Sequence, residues 1–178
     1  MITNVQTDHL LSLPKYAIDK NGNRLDSIHV DIESYYDHRI TLQAITDDAE
    51  YEFLLRIRRS EKYTLNLTLH IQNNESKDCL ARVDYGGRHS NPPTILETLP
   101  AKFRPFVNKI INEPHLHYNI DGYKPSAWAL PLSKTNFSPL NLENIGYGIN
   151  FAEAICSFIQ LINVQTGITF NRQSRLFV

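Results

Sequence analysis

Apolar and polar residues alternate with period two along much of the first half of the chain. Ile28, Val30 and Ile32 are interleaved with His29, Asp31 and Glu33, and Ile40 and Leu42 with Arg39, Thr41 and Gln43. Tyr51, Phe53, Leu55 and Ile57 alternate with Glu52, Arg56 and Arg58. Tyr63, Leu65, Leu67, Leu69 and Ile71 alternate with Thr64, Asn66, Thr68, His70 and Gln72. Such alternation turns one side of a strand to a core and the other to water. Short polar turns separate the runs, and no helix-length segment lies between them, so the strands should form antiparallel hairpins rather than βαβ crossovers. Leu80 to Tyr85 adds a fifth strand, stopped by Gly86-Gly87. The expectation is one antiparallel meander over 28–32, 40–45, 51–58, 63–71 and 80–85.

The period changes near the C-terminus. Phe151, Ala154, Ile155, Phe158, Ile159 and Ile162 recur at helical spacing, with Asn150 and Glu153 resembling a capping box and Gly167 placed as a stop. Thr7-Asp8 can cap a turn of helix carrying Leu10, Leu11 and Leu13, and Pro105 to Ile111 reads as a short helix with proline in its first turn. His115 to Ile120 and Ala127 to Leu132 read as two more strands around a turn at Asp121-Gly122-Tyr123. The class is α+β: an antiparallel β-meander sheet with a C-terminal amphipathic helix packed on one face, in a single domain spanning 1–178.

Composition narrows the field without changing that picture. At 178 residues the chain fits one domain and can bury roughly 70% of its unfolded surface. A formal net charge of -1 removes a global basic excess as an argument for nucleic-acid binding, though a local patch remains open. Cys79 and Cys156 are too few for a disulfide framework or a cysteine-only zinc site, and their apolar neighbours suggest buried thiols. Met1-Ile2-Thr3-Asn4-Val5 has no signal-peptide character, and no apolar stretch approaches the ~20 residues of a membrane span. A cytoplasmic protein with no membrane partner is expected.

The candidate chemistry lies between Arg82 and Tyr118. Arg82 and Asp84 are two apart on a strand, so they share a face, and His115 and His117 do the same with Cβ atoms ~7 Å apart. If those strands are neighbours, a guanidinium, a carboxylate and two imidazoles converge. Gly86-Gly87 permits a sharp turn that returns His89 toward them. Three of the seven histidines fall between 89 and 117. One use of this set is a phosphodiesterase, with His115, His117 and His89 transferring protons and Arg82, Asp84, Asn91 and Tyr118 holding substrate. A second is a divalent metal at His115, His117 and His89, or with Asp84 as the third ligand. A third is a surface that stacks on bases or docks a protein. Arg56, Arg58, Arg59 and Lys62 form a separate basic cluster, read first as the soluble end of a hairpin. His29, Asp31 and Glu33 are read as a solvated strand face.

The pattern Leu80-Ala81-Arg82-Val83-Asp84, His89-Ser90-Asn91-Pro92, Pro114-His115-Leu116-His117-Tyr118 and Gly122-Tyr123 with Ala127-Trp128-Ala129-Leu130-Pro131-Leu132 resembles a family of small uncharacterised proteins. These are carried by phages, prophages and mobile elements of Gram-positive bacteria. The chain departs from that pattern at Pro93, and at an insertion from Ile95 to Glu113 that separates the Asn-Pro loop from the His-x-His strand. A looser likeness is to TumE-type toxins. The resemblance implies either a toxin-like phosphodiesterase or ribonuclease acting on nucleic acid, or a non-catalytic inhibitor that binds and blocks a host defence protein such as a CRISPR nuclease.

Overall fold

The computed structural model describes residues 2–32, 35–60, 66–135, 137 and 149–171. Helix α1 (Asn4–Ser12) leads into strands β1 (Tyr16–Ile18), β2 (Ser27–Asp31), β3 (Tyr36–Ile45), β4 (Glu50–Arg59), β5 (Leu67–Asn73) and β6 (Cys79–Tyr85). Short strands β7 (His89–Ser90) and β8 (Ile110–Ile111) flank a 3-10 helix at Ala101–Phe106. Strands β9 (His115–Tyr118) and β10 (Trp128–Pro131), helix α2 (Ile149–Leu161) and β11 (Gly167–Asn171) follow.

The main sheet has seven strands in the order β1-β3-β4-β5-β6-β9-β10, and every neighbouring pair is antiparallel. The meander over β3 to β6 follows the alternation of the chain. The strand at 28–32 does not join it: β2 pairs in parallel with β11, Ile28 opposite Ile168 and Val30 opposite Phe170. Its alternation is real, since Ile28 and Val30 are buried and Ser27, His29 and Asp31 exposed. Period two reports which side of a strand is buried and is silent about its partner. His29 meets Thr169 and Asn171 across this pair at 3.0 and 2.7 Å. Glu33, Lys62, the 61–65 part of the fourth run and the side chain of Asn150 lie outside the described residues.

Alternation divides the main sheet into an apolar and a polar face. Leu42, Phe53, Leu55, Ile57, Leu69, Ile71 and Val83 are fully buried on the first, together with Phe151, Ala154, Ile155, Phe158, Ile159 and Ile162 of α2 in one core. A smaller core of Leu99, Phe103, Ile120, Tyr123, Trp128 and Leu130 builds the β9–β10 end. The polar face carries Arg39, Arg56, His70, Arg82 and His117 at successive register positions.

Local signals account for several boundaries. Helix α1 starts earlier than Thr7-Asp8 suggests, because Thr3 and Gln6 form a capping box. Helix α2 ends at Leu161, and Asn163 in the turn after it takes the left-handed φ of 56° while Val164 N–H closes onto Ile159 O at 3.1 Å; Gly167 belongs to β11 instead. The segment 105–111 is not a helix. The helical turn lies at Ala101–Phe106 with Pro105 inside it, and Ile110–Ile111 is strand. Lys15 is fully buried, and its ammonium donates to Leu11 O, Leu13 O and Ile162 O at 2.9 Å each, joining the C-terminal ends of α1 and α2. Cys79 and Cys156 are free thiols and only half-buried, Cys156 because it flanks the buried stripe of α2. No helix among the described residues is long and apolar enough to cross a membrane.

Candidate functional site

Strands β6 and β9 are neighbours, with Arg82 opposite His117 and Asp84 opposite His115. The four side chains therefore share the polar face, as the pleat requires. Gly86 and Gly87 adopt φ of 83° and 85°, a left-handed pair that folds the chain back after β6. His89 follows that turn, and its ring centroid stands 4.6 Å from that of His117 and 5.7 Å from that of His115. One ring nitrogen from each of His89, His115 and His117 lies within 4.8 Å of the others.

The insertion between 95 and 113 does not disturb this grouping. Its ends are tied by the β7–β8 pair, His89 opposite Ile111, and by Asn91 N–H to Lys109 O at 3.0 Å and Asn108 N–H to Pro92 O at 3.1 Å. Asn91 is buried, and its amide meets the backbone as well as the His89 ring. Its Nδ2 donates to Ala129 O and Phe106 O, and its Oδ1 accepts from Ala129 N–H. Asn91 braces β10 at the register position beside His117. Tyr118 follows His117 by one residue and so turns to the opposite face, where it packs edge-on against Phe103 at 5.1 Å and borders a cavity of about 640 Å³ between α1 and the 3-10 helix. Tyr118 thus stands apart from the histidine cluster, while Arg82 and Asp84 belong to it and Asn91 touches it through His89.

Each of the three rings is fixed through one nitrogen by a backbone carbonyl. Nδ1 of His115 donates to Glu113 O at 2.8 Å, Nδ1 of His117 to Ser126 O at 3.0 Å, and Nε2 of His89 to Ala127 O at 3.0 Å. Ser126 has a left-handed φ of 57°, and Asn119 Oδ1 accepts its N–H. The nitrogens left over are Nδ1 of His89, Nε2 of His115 and Nε2 of His117. Nε2 of His117 lies 2.8 Å from Asp84 Oδ2, so an ion taken at this nitrogen would displace its contact with the carboxylate.

Asp84 is the hub of the cluster. Its Oδ1 accepts from Thr68 Oγ1 at 2.8 Å, Arg82 Nε stands 2.9 Å from its Oδ2, and His115 Nε2 lies 3.8 Å from the same oxygen. Burial pushes the carboxyl up, but the His117 hydrogen bond, the Arg82 charge and the Thr68 hydroxyl outweigh it and hold the pKa at about 2. Burial pushes His89 and His115 below the ordinary imidazole range, with the neighbouring His117 adding to the shift, so both keep a lone pair at neutral pH. His70, between Arg56 and Arg82 in the register, is lowered to about 4 by burial and then by those two guanidiniums. His70 and Thr68 were missed as members of the site. Both stand on the polar phase of β5, which the alternation does reveal, but their place next to Arg82 and Asp84 depends on strand pairing.

Three imidazoles converging beside an aspartate, each oriented by a hydrogen bond to a backbone carbonyl, could hold a metal ion. A tetrahedral ion with bonds of ~2.1 Å holds ligand nitrogens ~3.4 Å apart, so closure on an ion needs only modest ring rotation. With Nε2 of His117 turned to an ion, Asp84 would keep Thr68 on Oδ1 and Arg82 on Oδ2, which would leave a fourth position for water or substrate. The fold and site define an α+β protein with a buried histidine–aspartate cluster on one sheet face. Residues 2–164 match a family of unknown function (DUF6978), and the chain belongs to that family. Neither the curated proteins nor the solved structures contain a match to it.

Proposed function

We propose that the chain is a metal-dependent phosphodiesterase whose divalent ion, of the zinc class, is held by His89, His115 and His117. The observation that carries this reading is the anchoring of all three rings through backbone carbonyls, with one ring nitrogen of each within 4.8 Å of the others and Arg82 alongside. Asp84 acts as the positioning group, fixing His117 and Arg82. Arg82, half-exposed at the rim, supplies a guanidinium for a phosphate oxygen. The ion would lower the pKa of a bound water and polarise the phosphoryl group. The resemblance to phage and mobile-element proteins supports a toxin-like setting for such an activity.

The test is hydrolysis of a small chromogenic phosphodiester by protein stripped with chelator and then reloaded with Zn²⁺ or Mn²⁺. Activity should disappear on stripping and return on reloading, and His115→Ala and His117→Ala should each lower it by ~10²-fold or more while leaving the melting transition in place. Full activity in a folded His115→Ala/His117→Ala double variant would overturn the reading.

A further inference from the structure

Two rows of side chains cross the polar face, and the histidine cluster is one end of both. The registers carry the first row from Arg39 through Arg56, His70 and Arg82 to His117. They carry the second from Asp37 through Arg58, Thr68 and Asp84 to His115. Strands lie ~4.8 Å apart, so Arg39 stands ~19 Å across the sheet from His117. Four arginines in these rows meet two carboxylates, in a chain whose net charge is -1, so positive charge is concentrated on this face. Asp37 accepts two bonds at 2.7 Å from Arg56, leaving that guanidinium with further donors. Arg39 is 63% exposed, its nearest carboxylate contact a long 3.9 Å, and Arg58 is exposed beside it. The acidic side chains of β4 on this face, Glu50 and Glu52, lie at the far end of that strand.

We infer that this face binds a single polynucleotide strand, with its phosphates on Arg39, Arg58, Arg56 and Arg82 and one phosphodiester delivered to the histidine cluster. The inference rests on the phosphodiesterase reading of that cluster and names its substrate class. A row of ~19 Å suits roughly four nucleotides of extended strand, the low end of single-strand site sizes. The rings of His115 and His117 are almost wholly buried, 2% and 6% exposed, so the phosphorus must descend to them. A flexible single strand can make that descent, whereas a duplex is stiff over ~150 base pairs. Neither row contains a large aromatic, so the grip is on phosphates and is indifferent to base sequence.

The experiment is fluorescence anisotropy of labelled oligouridylate, oligothymidylate and duplex DNA, each roughly a dozen nucleotides long, against the full chain in chelator. Neither cleavage nor metal then enters the readout. Both single strands should bind at about 50 mM salt more tightly than the duplex, with log K falling by ~0.7 per neutralised phosphate and an overall slope of about -2 to -3. The tighter of RNA and DNA names the natural strand, and equal affinity means that phosphates alone are read. Arg39→Glu/Arg58→Glu should weaken binding at least tenfold and flatten the salt slope, and Arg39→Lys/Arg58→Lys should restore most of it. Arg39→Gln alone, at an exposed position, should lower the slope by ~0.7 if the double variant does not fold. No binding of either strand, tighter binding of the duplex, or wild-type affinity in the folded charge-reversed variant would overturn the inference. Loss of chromogenic phosphodiester hydrolysis would instead strike the reading of the cluster and leave the binding result standing.

Discussion

Asp84 Oδ2 lies 2.8 Å from Nε2 of His117 and 3.8 Å from Nε2 of His115, so one buried carboxylate bonds the first β9 histidine and stands beside the second. Replacing it by asparagine keeps the volume and removes the charge. Asp84→Asn should weaken zinc binding by ~10–100-fold, the usual cost of losing a carboxylate just outside the ligands. Competition against a chromogenic chelator measures this. Unchanged affinity would mean that Asp84 serves only the fold.

The polar face also fixes how the protein meets acid. The unfolded chain protonates His70 below about pH 6.5, whereas the folded chain resists until about 4. Between those values the unfolded state binds more protons, so stability is complete above pH 6.5 and declines as pH falls toward 4. His89 and His115, lowered in the same direction, add to that slope. Asp84 acts in the opposite range: its contribution is present above the ordinary carboxylate value and is lost as pH falls through about 2. Urea unfolding at several pH values between 7.5 and 4 should show a shallower decline in His70→Gln than in the wild type. Equal slopes would show that His70 titrates alike in both states.

Phe158 is 1% exposed at the centre of the α2 stripe. Phe158→Ala should cost ~3–5 kcal/mol, read from chemical denaturation. A loss below ~1 kcal/mol would place the ring outside the main core.

Lys15 should prove equally intolerant for a polar reason. Lys15→Met keeps a flexible stem of similar length over the Phe53 ring, but it removes the donor from three backbone carbonyls at two helix ends. A loss of ~2–4 kcal/mol is expected, because buried acceptors left without partners keep their desolvation cost. Thermal and urea melts that coincide with the wild type would rule out this role.

Much of the sheet is legible in the chain because phase is a local property. The positions of Leu55, Leu69 and Val83 determine the buried face, and with it the face that carries Arg56, His70 and Arg82. Pairing is not local, which is why the alternation of β2 points to the meander although its partner is β11, more than a hundred residues away. The same limit applies at the site. Gly86-Gly87 announces the turn that returns His89. The carbonyls of Glu113, Ser126 and Ala127 that orient the three rings belong to the backbone and leave no trace in residue type. Asn91 is visible as a turn residue, but its partner is the backbone of Ala129. For Tyr118 the information was present, since the pleat that pairs His115 with His117 also turns the next residue away.

The β7–β8 clasp has a consequence for how such a chain can change. Although His89 opposite Ile111 closes the 95–113 excursion at its base, the excursion reaches back under the cluster through Leu99 and Phe103 in the core and Glu113 O on His115. Loop entropy grows slowly, by about 0.6 kcal/mol for each doubling of length, so added chain is tolerated where the side chains are exposed, as at Ile95, and not at those inner positions. The excursion is in this sense half keel and half deck: its inner residues hold the rings level while its outer ones are free to vary.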